Sequence, residues 1–129
     1  MRLEYLASGS PDCPLIRLFD FQASEAADLL AAINTLASGS AEQVEVHQLP
    51  FVESVGGCRL VLRRQHLDAA IIGGPHENEF ECGFTADTWD NVAGLLEPFA
   101  AEHSYGYQWL AGSPGYAALL ISAHPGGAW

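Results

Sequence analysis

Three cysteines and five histidines are the residues of this sequence best suited to metal binding or nucleophilic chemistry: Cys13, Cys58, Cys82, His47, His66, His76, His103 and His124. No two of them stand in the Cys-x-x-Cys or His-x-x-x-His spacing by which one short segment presents two ligands to zinc. A metal site would have to be assembled from separate elements, with Cys58 and Cys82 meeting His47 if their strands are neighbours. Free cysteine is among the most buried residue types, so the favoured reading of Cys58 and Cys82 is a pair of small core hydrophobes and no metal. A nucleophile is no better served. There is no Gly-x-Ser-x-Gly elbow, and no cysteine beside an expected helix start, where its pKa would fall. Cys13 sits in Asp12-Cys13-Pro14, and the neighbouring carboxylate raises a thiol pKa. The sequence therefore assigns no catalytic residue, no metal and no cofactor.

Two polar groupings remain. The loop Gly73-Gly74-Pro75-His76-Glu77-Asn78-Glu79 combines glycines, a histidine and two carboxylates. Its spacing matches no calcium loop, and a solvated hairpin connection is the simpler expectation. Arg59, Arg63 and Arg64 form the one cationic cluster. In so acidic a chain, pairing with acids across a sheet is expected of them rather than anion binding.

Charge says more about partners than about chemistry. The 129 residues hold 5 Lys+Arg against 16 Asp+Glu, for a formal charge of −11. All the bases are arginines in the first half (Arg2, Arg17, Arg59, Arg63 and Arg64), and none follows Arg64. From Gln65 onward stand Asp68, Glu77, Glu79, Glu81, Asp87, Asp90, Glu97 and Glu102 with nothing to neutralise them. Such a surface repels nucleic acid and anionic lipid, and it steers a basic protein toward itself. The absence of lysine also excludes a phosphate-binding Gly-x-x-x-x-Gly-Lys loop.

The elements that must position these groups are readable. Ala26, Leu29, Leu30, Ile33, Leu36 and Ala37 recur at helical steps after Ser24, an expected N-cap, and before Gly39, an expected left-handed C-cap. Trp89, Val92, Ala93, Leu96, Phe99 and Ala100 form a second stripe after Thr85, and Pro98 predicts a kink or a fresh last turn. Strand-like runs cover residues 2–6, 15–21, 44–49, 58–64, 69–73, 79–84, 105–110 and 116–122. Of these, 79–84 alternates cleanly, as a half-buried strand does. The two helical stripes are offset by 63 residues, and Val44/Val46 match Tyr107/Trp109 at the same offset. The runs 15–64 and 79–122 thus both read as strand–helix–strand–strand, a pattern compatible with an internal pseudo-repeat.

The expected fold is one α+β domain over residues 1–129: a two-layer sandwich, its antiparallel or mixed sheet covered on one face by two amphipathic helices. A 49% hydrophobic fraction supports a packed core. No apolar run approaches the roughly 20 residues that span a bilayer, and the start lacks the layout of a secretion signal. With an odd number of cysteines, this points to a reduced, cytoplasmic protein.

The expected function is non-enzymatic binding of a basic protein, in the manner of an inhibitor or immunity protein. Glu77, Glu79, Glu81 and the aromatic residues Tyr105, Tyr107 and Trp129 are the expected contact set. The alternatives are a small metal- or thiol-dependent enzyme, and a homodimeric structural domain joined through the aromatic strand or Trp129.

Overall fold

A computed structural model describes residues 1–101, 106–112 and 117–129. Among them, nine strands and two helices follow in the order β1 (Arg2–Leu6), β2 (Leu15–Phe19), α1 (Ala23–Ser38), β3 (Gln43–Glu45), β4 (Glu53–Ser54), β5 (Arg59–Arg64), β6 (Ile72–Gly73), β7 (Glu79–Phe84), α2 (Ala86–Ala100), β8 (Tyr107–Ala111) and β9 (Ala118–Ser122). The architecture is α+β, with both helices packed on mixed sheets. The strands divide between two sheets rather than lying in one: a five-stranded sheet ordered β4-β1-β2-β9-β8 and a four-stranded sheet ordered β3-β5-β7-β6.

The two sheets share one wiring. In the first, β2 lies antiparallel to β1 and parallel to β9, which lies antiparallel to β8. In the second, β7 lies antiparallel to β6 and parallel to β5, which lies antiparallel to β3. Of the strands that follow α1, β3 and β5 join the sheet of β7 while β4 joins the first sheet, and β8 and β9, which follow α2, join the sheet of β2. Parallel neighbours cannot be joined by a tight turn. Both α1 and α2 lie in the chain between β2 and β9, whereas β5 and β7 are joined through residues 65–78, which contain β6 and no helix.

The helices form where the apolar stripes predict. Ala26, Leu29, Ile33 and Leu36 of α1, and Trp89, Val92, Ala93, Leu96 and Phe99 of α2, are buried. They share one core with Leu3, Ile16 and Leu18 of the first sheet and Leu60, Leu62, Phe80 and Cys82 of the second. Each such large side chain contributes about 1.5–3 kcal/mol on leaving water.

The helix ends show what fixes them. Thr85 caps α2 as expected, accepting from Thr88 N. A second cap comes from outside the helix: Asp68 accepts from Thr85 N at 2.8 Å and from Thr88 Oγ1 at 2.7 Å. Those bonds hold its carboxyl below the usual range. The helix continues through Pro98 to Ala100. The start of α1 differs from expectation. Gln22, not Ser24, is the N-cap, because the Glu25 carboxylate reaches back to Gln22 N at 2.8 Å and draws two more residues into the helix. The other Glu25 oxygen accepts from the Met1 amino group at 2.7 Å. At the far end Gly39 has φ +84°, and the Arg64 guanidinium packs so closely that a Cβ there would lie 1.9 Å from Nη1. Only glycine fits.

Three expected strands are clearly shorter than their apolar runs, and of the 69–73 run only Ile72–Gly73 is strand. After Glu45 the chain turns as a short 3-10 segment, Val46–Gln48, ahead of Pro50. This buries Val46 and brings His47 Nδ1 to Leu60 N at 3.1 Å. The 15–21 run stops at Phe19, because Asp20 takes a positive φ of 53°.

Candidate functional site

The thiols and histidines are kept apart. Cys82 pairs in register with Leu62, whereas Cys58 precedes Arg59, the partner of Glu79. The two cysteines are therefore four strand positions apart, about 13 Å at the rise of a strand. Both are buried, and the cost of burying a thiolate pushes each thiol up to about 12. His47, in the 3-10 turn, packs its ring against β5, with Nδ1 3.1 Å from Leu60 N and 3.3 Å from Leu60 O. His66, His76 and His124 are exposed on separate loops. His103 lies outside the described residues. Among the described residues no group of three His, Cys, Asp or Glu side chains could hold a metal.

Cys13 is the one partly accessible thiol, 3.6 Å from Ser10 Oγ. It lines a shallow groove of about 420 Å³ together with Asp12, Pro14 and Trp109. Alkylation of the native protein with iodoacetamide at pH 8 is expected to label Cys13 and to spare Cys58 and Cys82 until the chain unfolds. Mass spectrometry of the labelled peptides reads this directly, and early labelling of either buried thiol contradicts it.

The arginines are taken up inside the sheets. Arg59 meets Glu79 at 3.7 Å, and Arg63 meets Glu81 at 2.9 Å while also donating to Gln43. These are neighbours across the parallel β5–β7 pair, so the expected cross-sheet pairing occurs for Arg59 and Arg63, whereas Arg64 forms no ion pair among the described residues and lines a groove with Glu42 and Asp87. Arg17 donates to Glu4 at 2.8 Å, and Arg2 lies between Asp20 and Glu53. Of the three glutamates in the expected contact set, Glu79 and Glu81 are therefore half-buried and paired within the chain. Glu77, at the tip of the β6–β7 connection, is exposed. That connection is a hairpin, with Gly74 N donating to Glu79 O at 2.6 Å.

The acids without an internal partner lie elsewhere. Neither α1 nor α2 contains a Lys or Arg. Asp28 of α1 and Asp87, Asp90 and Glu97 of α2 are exposed, and no ion pair among the described residues engages them or Glu77. The charged residues exposed on the two helices are all acids, set among neutral residues such as Ala27, Ala31, Asn34, Asn91 and Leu95. The sequence signal was the absence of a base in either helix, but which acids stay unpaired depends on strand pairing.

The aromatic residues separate as well. Tyr107, on β8, is 48% exposed and meets Trp109 edge to face, with ring centroids 6.4 Å apart. Tyr105 lies outside the described residues. Trp129 docks on its own chain. The last residues cross the outer side of the first sheet, where Arg17 donates to the carbonyls of Gly126 and Gly127 at 3.2 and 3.1 Å. Ser122 Oγ donates to Ala128 O at 2.6 Å, and Trp129 Nε1 donates to Asp12 Oδ2 at 2.9 Å. Beneath this tail Leu15, Phe19 and Leu120 are buried apart from the main core.

Two surface residues escaped sequence reasoning. Leu67 and Ile72 are 78% and 55% exposed. Ile72 lies in Ala-Ala-Ile-Ile, which has the composition of a buried strand, and no local pattern marks it as outward.

Compared with known protein families, with curated proteins and with solved structures, the chain finds no match.

Proposed function

We propose that this protein is a non-enzymatic, acidic binding module for a basic protein partner, acting in a reducing, cytoplasmic setting. The observation that carries the reading is the distribution of charge. The arginines that pair with acids do so within the sheets or at their edges, so the helical surface bearing Asp28, Asp87, Asp90 and Glu97 retains its negative charge. A predominantly negative surface of this kind, with Arg64 the one base beside Asp87, accelerates encounter with an oppositely charged partner and disfavours like-charged competitors. An enzyme built on Cys58 and Cys82 has less support, since thiols pushed up to about 12 are neutral at cellular pH and poor nucleophiles.

The test is affinity capture with the full chain at low and high salt, read by mass spectrometry, followed by association kinetics with the recovered protein. A basic partner held at low salt and released at high salt is the expected result. Replacing Asp28, Asp87 and Asp90 by asparagine and Glu97 by glutamine should slow association about tenfold or more at low salt while leaving the fold unchanged. A partner whose binding is indifferent to salt and to these four changes rules out the acidic surface as the contact.

A further inference from the structure

The shared wiring of the two sheets exposes a difference at their edges. In the first sheet the outer edge of β1 is covered by β4, which runs parallel to it with Arg2 opposite Glu53 and Leu3 opposite Ser54. Glu53 N donates to Met1 O at 2.8 Å. In the second sheet β6 stands beside β7 as β1 stands beside β2, and among the described residues no strand covers its outer edge.

That edge is longer than the two residues of β6. Ala69 N donates to Gly83 O at 2.8 Å and Gly74 N to Glu79 O at 2.6 Å, so residues 69–74 lie along β7 with one extra residue between the two bonds, and Ile72–Gly73 is the regular part of the ladder. Antiparallel ladders alternate between bonded and non-bonded pairs. With Gly74 bonded to Glu79, Ile72 faces Glu81 in the next bonded pair, and the Gly73 amide points away from β7. Ile71 is buried beneath this edge, while Leu67 and Ile72 project into solvent as the two most exposed large hydrophobic side chains among the described residues. An open strand edge flanked by apolar side chains is a template for another extended chain.

Charge selects the occupant. Asp68 and Glu77 bracket the edge, and the sequence has no Lys or Arg from Gln65 onward. A second copy would bring a further −11 against it. A basic strand brings the opposite sign. We infer that the outer edge of Ala69–Gly73 takes up an extended, basic segment of the partner protein as a fifth strand, its apolar side chains lying against Leu67 and Ile72. The inference rests on the acidic-binder reading and adds to it a mode of attachment.

The probe is an acetylated, amidated eight-residue peptide alternating arginine and valine, titrated into the full chain at low salt. Its control alternates glutamate and valine. Backbone amide NMR with hydrogen exchange is the readout. The arginine peptide should slow exchange of the Gly73 amide about tenfold or more, as a new strand protects an open edge, and the glutamate peptide should not. Gly73→Pro removes the outward donor and should weaken the peptide up to about tenfold, the loss of one hydrogen bond. The double variant Leu67→Lys/Ile72→Lys, at two exposed positions, should weaken it likewise and serves the test should the proline disturb the hairpin. Peptide-induced changes confined to α1 and α2, with Gly73 unaltered, overturn the edge and leave the acidic-binder reading standing. No change anywhere at low salt counts against both. Gly73 protection that grows with protein concentration in the absence of peptide assigns the edge to a second copy and overturns the partner.

Discussion

Trp89→Ala is expected to lower the unfolding free energy by about 3–5 kcal/mol, the range for deleting a large aromatic from a packed core. Domains of this kind are stable by only about 5–15 kcal/mol, so the variant should lie close to unfolding. Trp89 is 1% exposed on the buried face of α2. Its ring meets Phe84 of β7 with centroids 4.9 Å apart, and its Nε1 donates to the Arg63 carbonyl of β5 at 2.8 Å. One side chain thus ties α2 to two adjacent strands of the second sheet. Trp89→Phe keeps most of the apolar contact and loses the hydrogen bond, leaving the Arg63 carbonyl without this partner. It should cost about 1–3 kcal/mol. Urea unfolding followed by far-ultraviolet circular dichroism separates the two variants without relying on the deleted fluorophore. A loss below about 1 kcal/mol for the alanine variant would show that the site closes over the cavity, against the rigid packing argued here.

The second large effect is expected at Arg17→Ala. The Arg17 side chain is 16% exposed and its partner Glu4 22%. The guanidinium also lies 4.3 Å from the Phe19 ring centroid and donates to the Gly126 and Gly127 carbonyls. Gly127 has φ +75°, and a Cβ there would lie 2.6 Å from Arg17 Nη1, so the tail approaches this closely only through glycine. Removing the cation leaves a half-buried carboxylate unpaired and frees the tail, at a cost of about 2–3 kcal/mol, toward the low end for one partner of a buried pair. Arg17→Lys should not restore the loss, because an ammonium lacks the planar fork that spans a carboxylate and two carbonyls. Trp129 reports on the release: its emission should move to longer wavelength, and proteolysis after Ala123 should quicken. An unchanged emission and proteolysis pattern in the alanine variant would dispose of the clamp.

Local order in this chain was legible from periodicity because local order is set by nearby residues. The stripes from Ala26 to Ala37 and from Trp89 to Ala100 are the buried faces of α1 and α2, Gly39 is the left-handed cap, and Thr85 begins α2. The alternation over 79–84 is a strand whose Phe80 and Cys82 face the core. An α+β fold with adjacent, turn-linked strands follows from such units. Failures at this level were small and had near causes. Glu25 moved a cap by two residues, and the turn at Val46 shortened a strand.

What the sequence by itself determined was therefore the set of units, their buried faces and a large surplus of negative charge. Only the tertiary structure decided where that surplus is felt. Parallel pairing of β5 with β7 sets Arg59 and Arg63 against Glu79 and Glu81, so two glutamates that read as surface charges are neutralised, while the acids of α1 and α2 are not. The pairing of β2 with β9 builds the surface on which Arg17 holds the tail and Trp129 reaches Asp12. The division into two sheets leaves β6 at an edge and turns Ile72 outward. The physical reason is common to all three. Hydrophobic period reports which face of an element is buried, but strand partners are chosen by contacts between residues far apart in the chain, and those contacts leave no periodic trace in the sequence.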